Sequence, residues 1–273
     1  MYKRMNEQLQ KEGAMALVTG ASSGIGLAYA RELARRGYDL LLVSNEQERI
    51  GTVAEELAAA FGVKTIPLCM DLARSEAARE LYDYCEREKL QIGILVNNAG
   101  IFFFDDLTEV APERIETMLL LHIRTVTLLC RYFGAAMKRR RAGYILNMSS
   151  LSAWTPAPGI SVYAASKSYI RKFSQMLRYE LHQYGVGVTP VCPGAIATGL
   201  YNLSDYYQRL ALRLGVMMKP ERLARKGLRA MFARRDYILP GAVNRFFVLA
   251  LYLLPVQLIY YIKEHTKLYR YGR

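Results

Sequence analysis

The feature that most limits how this chain can fold is a regular alternation of short apolar runs with amphipathic stretches. Residues 14–18 form an apolar run too short for a helix; after a glycine-rich turn, Ile25, Tyr29 and Leu33 recur at helical spacing opposite Arg31, Glu32, Arg35 and Arg36, and Gly37 stops the pattern. The alternation continues with a strand at 40–43, a helix at 47–61, a strand at 63–68 and a helix at 75–89. Strands at 92–96, 144–148 and 186–191 follow, separated by helices over 112–138 and 161–184. A strand that returns to its sheet through a helix re-enters parallel to its predecessor, and the helices then cover both faces. The expected fold class is therefore α/β, a doubly wound parallel sheet. With 273 residues, 52% of them apolar, the chain can fill one large core, and it contains no internal repeat, low-complexity segment or convincing linker. Residues 1–273 are expected to form a single domain, with 200–273 as a loop and C-terminal helical extension.

Sheets of this kind bind ligands beyond the C-terminal ends of their strands, so the residues that follow each strand carry most of the information. After the first strand comes Thr19-Gly20-Ala21-Ser22-Ser23-Gly24-Ile25-Gly26. Glycines here allow a tight turn and let a pyrophosphate approach backbone N–H groups at the positive end of the next helix. A merely structural turn is the competing reading.

A second pattern is Tyr163-Ala164-Ala165-Ser166-Lys167, with Ser150 thirteen residues upstream. Residues four apart on a helix share a face, so the Tyr163 phenol and the Lys167 ammonium would lie side by side. A neighbouring cation favours phenolate and draws a tyrosine toward the range useful for acid–base chemistry. A serine hydroxyl converging on the same point could hydrogen-bond a carbonyl or alcohol oxygen. Tyrosine and lysine also meet at this spacing by chance on amphipathic helices, but of the 20 tyrosines only Tyr163 has a lysine four residues on.

Composition narrows the function classes. The four cysteines, Cys69, Cys85, Cys130 and Cys192, have neither metal nor redox spacing, which points to no metal site and to a reducing compartment. Residues 1–12 are polar and charged, without the apolar core of a secretory signal, so a cytoplasmic location is expected. The net charge is +13, of which the last 66 residues, with 14 lysines and arginines against 3 acids, supply +11. No nucleic-acid motif accompanies that basicity; anionic lipid, an acidic carrier or a polyphosphate substrate explains it better.

Taken together, Thr-Gly-x-x-x-Gly-x-Gly at 19–26, Asn97-Asn98-Ala99-Gly100 after the fourth strand, Ser150 with Tyr163-x-x-x-Lys167, and Pro193-Gly194 followed by Thr198 resemble the classical short-chain dehydrogenase/reductase family. The motifs span roughly residues 15–198; the remaining 75 residues match more loosely. The resemblance implies a Rossmann-type sheet and hydride transfer between a nicotinamide cofactor and a carbonyl/alcohol pair. Gly20, Ser22, Ser23, Gly24, Ile25 and Gly26 would hold the dinucleotide, with Asp71 and Leu72 flanking the adenine. Asn98, Ala99 and Gly100 would line the cofactor, and Pro193, Gly194, Ile196 and Thr198 would meet its nicotinamide end. Tyr163 would exchange the substrate proton, Lys167 would hold the nicotinamide ribose and lower the tyrosine's pKa, and Ser150 would orient the substrate oxygen. Such proteins commonly pair their long central helices across a dimer interface, so a homodimer or homotetramer is expected.

One departure is His122, in Leu121-His122-Ile123, where the family usually has an asparagine that helps hold a proton-relay water, partly through its backbone carbonyl. A backbone role survives the substitution, and imidazole can itself exchange a proton, so His122 joins the candidate catalytic residues. The alternatives are an ordinary hydrogen-bonded core histidine or an impaired site. His182 and His265 read as helix-surface residues. Cofactor choice is set after the second strand, where Val43-Ser44-Asn45-Glu46 offers neither an Asp for NAD nor the arginine common in NADP-users. Ser44 and Asn45 could donate to a phosphate, which favours NADP with NAD as the alternative; both residues also suit a helix cap.

The C-terminal arrangement resembles members acting on 3-oxoacyl or steroid-like compounds, and Ile101-Phe102-Phe103-Phe104 would give an apolar wall near the site or pack in the core. Within 246–262 the only polar interruption besides tyrosine hydroxyls is Gln257, and Pro255 breaks the run, which is too short and too interrupted for a membrane span. Two short helices are expected there, either as a lid or subunit contact, or as a surface lying on anionic membrane. The expected activity is oxidoreduction of an apolar carbonyl or alcohol; a dinucleotide-binding scaffold without turnover is the alternative, and nucleic acid is not an expected partner.

Overall fold

The first strand, β1 (Met15–Thr19), is wholly buried, and its residues split by parity between two apolar layers. Ala16 and Val18 pack on one side of the sheet, Met15 and Leu17 on the other. The next strand, β2 (Leu40–Ser44), divides in the same way: Leu40 and Leu42 face one layer, Leu41 and Val43 the other. A strand covered on both faces needs apolar residues throughout, which is why these segments read as runs rather than as alternations.

The computed structural model describes residues 13–155, 158–198, 215–252 and 255–265, with Leu9, Arg209 and 211–213. Helix α1 (Gly24–Ala34) links β1 to β2, α2 (Gln47–Phe61) links β2 to β3 (Thr65–Cys69), and α3 (Ala77–Arg87) leads to β4 (Ile92–Asn97). Helix α4 (Pro112–Leu119), a π-helical segment (Leu120–Thr125) and α5 (Val126–Arg140) precede β5 (Gly143–Met148); α6 (Ser161–His182) precedes β6 (Val186–Val191). The six strands are parallel in the order β3-β2-β1-β4-β5-β6. The order reverses between β1 and β4, which opens the crevice characteristic of doubly wound sheets above their C-terminal ends. A short parallel pair, β7 (Ala195–Ile196) with β8 (Met217–Met218), and helices α7 (Pro220–Phe232), α8 (Ala242–Tyr252) and α9 (Val256–His265) complete the described chain.

One apolar layer joins α1, α2 and α7 to the sheet, the other α3, α5 and α6. On α7, Leu223, Leu228 and Met231 are fully buried and Phe232 nearly so, while Arg222, Arg225 and Arg229 are exposed. Helix α7 crosses α1 at Gly227, where a Cβ would lie 2.2 Å from the Tyr29 hydroxyl. Two expected boundaries are corrected. The helix expected over 112–138 is interrupted at Leu120–Thr125, where one extra residue per turn has no compositional signature. The third strand begins at Thr65 rather than 63, because Gly62 takes the left-handed conformation (φ 66°) that ends α2. Part of the expected loop, 199–208, lies outside the described residues.

Candidate active site

The glycine loop after β1 lies at the bottom of a cleft of about 550 Å³. Gly20 holds φ 64°, and a Cβ there would sit 2.9 Å from the Ala99 Cα, so the β1 and β4 loops can meet only at glycine. Asn98 fastens them: its side-chain amide donates to the carbonyls of Thr19 (3.0 Å) and Gly20 (3.3 Å). The N–H groups of Asn98 and Ala99 both donate to the Thr19 hydroxyl. Ser23 caps α1 without a side-chain hydrogen bond, and no acid lies in the first turn, which leaves the positive end of the helix facing the cleft unopposed.

Gly20, Ser22, Ser23, Gly24, Ile25, Ser44, Asn45, Asp71, Leu72, Asn98, Ala99, Gly100 and Thr198 all line this cleft. Gly26 is not among the residues that line it; a Cβ there would lie 1.9 Å from the Gly20 carbonyl oxygen, so glycine lets the helix pack against the loop. Glu46, weighed in the sequence as an acid that could oppose a phosphate, lines the cleft too, and sequence reading missed Arg49, Met70 and Leu121 beside it. The usable signal for Arg49 was its spacing: three residues after Glu46, in the first turn of α2, it returns to the face that Glu46 occupies. Their side chains approach to 3.9 Å, each about half exposed. Ser44 donates to the Ser22 hydroxyl at 2.9 Å, tying the ends of β1 and β2 together.

A smaller cavity of about 80 Å³ continues from this cleft and is lined by Ser150, Tyr163, Lys167, His122, Pro193, Gly194 and Ile196, with Ile25, Asn98, Gly100, Ile101 and Thr198 common to both. Ser150 follows β5; its hydroxyl accepts the Ser152 N–H at 3.2 Å, which leaves its own proton to donate. Lys167 Nζ donates to the Met148 carbonyl at 3.0 Å and sits 5.5 Å from the Tyr163 ring centroid, so the i,i+4 pair lies side by side on α6. The Ser149 hydroxyl, bonded to the Lys167 carbonyl at 2.7 Å, locks the end of β5 to that turn of α6. Burial lowers the Lys167 ammonium to about pKa 8, against a smaller raising effect of the Cys192 thiol.

Phe102 meets the Tyr163 ring edge-on at 5.0 Å, whereas Phe103 is buried with Val110 and Met118; the aromatic run thus divides between site and core. His122 is fully buried. Its Nε2 accepts the Ile101 N–H at 3.0 Å and its Nδ1 lies 2.9 Å from the Ser166 hydroxyl. Among the described residues no group of three or more His, Cys, Asp or Glu could hold a metal. Nor is any helix among them long and apolar enough to cross a membrane.

The parallel sheet with its switch-point cleft, and the Ser-Tyr-Lys cluster beside it, have the architecture of the doubly wound α/β folds. Comparison with known proteins agrees: the family described as short chain dehydrogenase matches residues 14–205, and the chain belongs to it. A very-long-chain 3-oxoacyl-CoA reductase of Anas platyrhynchos is 37% identical over 199 residues, which cover 70% of this chain and 62% of that protein. A human protein named inactive hydroxysteroid dehydrogenase-like protein 1 is 32% identical over 206 residues, 74% of this chain and 61% of that one. The chain thus spans about three fifths of the length of these curated relatives. A short-chain dehydrogenase from Sphingobium yanoikuyae, solved in complex with NADPH, superposes with a TM-score of 0.76 at 30% identity, over 87% of this chain and 92% of that one.

Proposed function

We propose that this protein is an NADP-dependent oxidoreductase that interconverts an apolar carbonyl, 3-oxoacyl or steroid-like, with the corresponding alcohol. The observation that carries this reading is that Ser150, Tyr163 and Lys167 line one small cavity opening into the dinucleotide-sized cleft. The cleft fits a dinucleotide: its floor admits close backbone approach at Gly20, and the uncapped start of α1 favours an anion. Asn45 and Arg49 stand where a 2′-phosphate would need partners, with Glu46 drawn toward Arg49, and the relative from Sphingobium yanoikuyae was solved with NADPH.

A nicotinamide cofactor held by the glycine loop, Asn98 and Lys167 would supply hydride-transfer chemistry at the carbonyl carbon, in either direction. Ser150 donates its free O–H to the substrate oxygen and orients it. Tyr163 gives that oxygen its proton as negative charge develops there, and the Lys167 ammonium beside the ring favours the phenolate left behind. Ile101 and Phe102 supply apolar surface next to the proton donor. Three relatives are named as inactive, so turnover here rests on the intact Ser150, Tyr163 and Lys167 rather than on membership.

The test is incubation with NADPH or NADH and a panel of ketones and 3-oxoacyl thioesters, followed at the nicotinamide absorbance. NADPH is consumed in preference to NADH, and Tyr163→Phe lowers kcat by about 10² to 10⁴ with cofactor affinity little changed. Cofactor binding without turnover of any panel member would favour a scaffold instead.

Two assemblies belong to the same reading. Tyr169, Met176 and Tyr179 on α6 and Leu119 on α4 are exposed, which supports a homodimer through the long helices. Val243 and Phe246 on α8 and Leu258, Tyr260 and Tyr261 on α9 are exposed on a strongly basic quarter of the chain, which supports contact with an anionic membrane surface. Asn244 packs against Gly194, where a Cβ would lie 2.5 Å from its side-chain oxygen, so the start of α8 stands at the rim of the cavity through which an apolar substrate would enter.

A further inference from the structure

His122 sits within the π-helical segment, fully buried between the loop after β4 and the turn of α6 that carries Tyr163. Its hydrogen bonds fix where its proton lies. The Ile101 N–H can only donate, so Nε2 is bare and accepts it at 3.0 Å. A neutral imidazole then carries its hydrogen on Nδ1, which donates to the Ser166 hydroxyl at 2.9 Å. Ser166 in turn donates to the Tyr163 backbone carbonyl at 2.8 Å. From the Tyr163 carbonyl back through Ser166 and His122 to the Ile101 N–H, the three bonds run in one consistent donor-to-acceptor sense.

We propose that His122 is a positioning residue: its neutral Nδ1–H tautomer clamps the loop after β4, on the cofactor side, to the helical turn bearing Tyr163, and so sets the height of the phenol over the cleft. Both ring nitrogens are engaged in the clamp, so the imidazole carries no proton between substrate and solvent. A second proton on Nε2 would face the Ile101 N–H, donor against donor. The titratable groups that face the ring are Lys167 and Tyr163 on α6, while the loop side presents Gly100 and Ile101. Burial, and then the Lys167 charge, hold the imidazole well below its usual range. Gly100 belongs to the same device, because a Cβ there would lie 2.9 Å from Nε2.

The proposal rests on the oxidoreductase reading only for its kinetic arm, and the first arm needs no turnover. In a two-bond ¹H–¹⁵N correlation of the whole protein, with the His122 resonances assigned by their loss in His122→Gln, the ring shows the Nδ1–H pattern and does not titrate between about pH 5.5 and 8. An Nε2–H pattern, or titration near the ordinary histidine value, overturns the clamp even if the protein turns out to have no activity. In the kinetic arm, His122→Gln keeps an acceptor for Ile101 and loses Ser166, His122→Asn does the reverse, and Ser166→Ala cuts the link to Tyr163. Each lowers kcat about tenfold with the KM for NADPH within about twofold, and the His122→Gln/Ser166→Ala double variant is no worse than the poorer single one. Unchanged kcat in Ser166→Ala, or losses that multiply in the double variant, overturns it.

Discussion

Lys167 is the residue at which folding and function pull hardest against each other. The side chain is nearly inaccessible, its ammonium finds one carbonyl acceptor at Met148, and burial lowers its pKa to about 8. A lysine with a depressed folded-state value is protonated more readily in the unfolded chain. Below about pH 8 the folded protein therefore bears the full penalty of a buried cation, and stability rises as pH climbs from there toward the unfolded value. Relative to Lys167→Met, which cannot titrate, the cofactor-free parent should gain about 1 to 2 kcal/mol between about pH 8 and pH 9.5, as measured by urea unfolding. A pH-independent difference between the two proteins would contradict a buried cation at this position. On the proposed mechanism the charge serves the phenol beside it, at an expense in local stability of the kind found at functional sites.

Among the elements, the crossing of α1 with α7 is the most sharply specified. Tyr29 is fully buried, its hydroxyl reaches Gly227 at a distance no Cβ could share, and burial raises its pKa far above the usual tyrosine range. Gly227→Ala should destabilise the protein by about 1 to 3 kcal/mol through overpacking, despite alanine's better helix propensity; a thermal midpoint equal to or above that of the parent would show that the helices can slide apart. This crossing also marks the limit of what the chain discloses before folding. The buried face of α7 follows from the spacing of Leu223, Leu228 and Met231, yet nothing local says that Gly227 must admit a tyrosine from α1. The candidate site divides in the same way. Ser150, Tyr163, Lys167 and the glycine loop follow strand ends or share a helix face, so topology alone gathers them. The orientation of His122 depends on a one-residue π insertion, which leaves no periodic trace, and the cleft-facing position of Arg49 shows only in its three-residue spacing from Glu46 at a helix start. Asn97 reads as the first residue of the loop motif and Asn147 as an ordinary strand residue; that their side chains meet at 2.8 Å in the middle of the sheet is seen only once β4 and β5 lie side by side.

At the scale of the molecule the uneven charge has a location. Most of the net +13 falls on the C-terminal quarter, where Phe246 is 73% exposed and Tyr260 61%. Flotation with anionic liposomes should recover the protein at low salt and lose it at high salt, and Phe246→Glu should weaken the recovery at low salt. No binding under either condition would leave the lid or subunit contact as the role of α8 and α9.

The Asn97–Asn147 bond joins two residues that face each other in register across β4 and β5, one position before Asn98 and three before Ser150. Were either strand to slide along the other, the Asn97 amide and the Asn147 side-chain oxygen would lose this bond in the dry middle of the sheet, at a cost of about 1 to 3 kcal/mol. The pair acts as a keyway: β4 and β5 mate at one offset, and that offset sets the loop after β4 level with Ser150. A mis-slid sheet is removed from the population by its own instability before it can present a half-built site, so the molecules that persist are those whose two loops already stand at the same height.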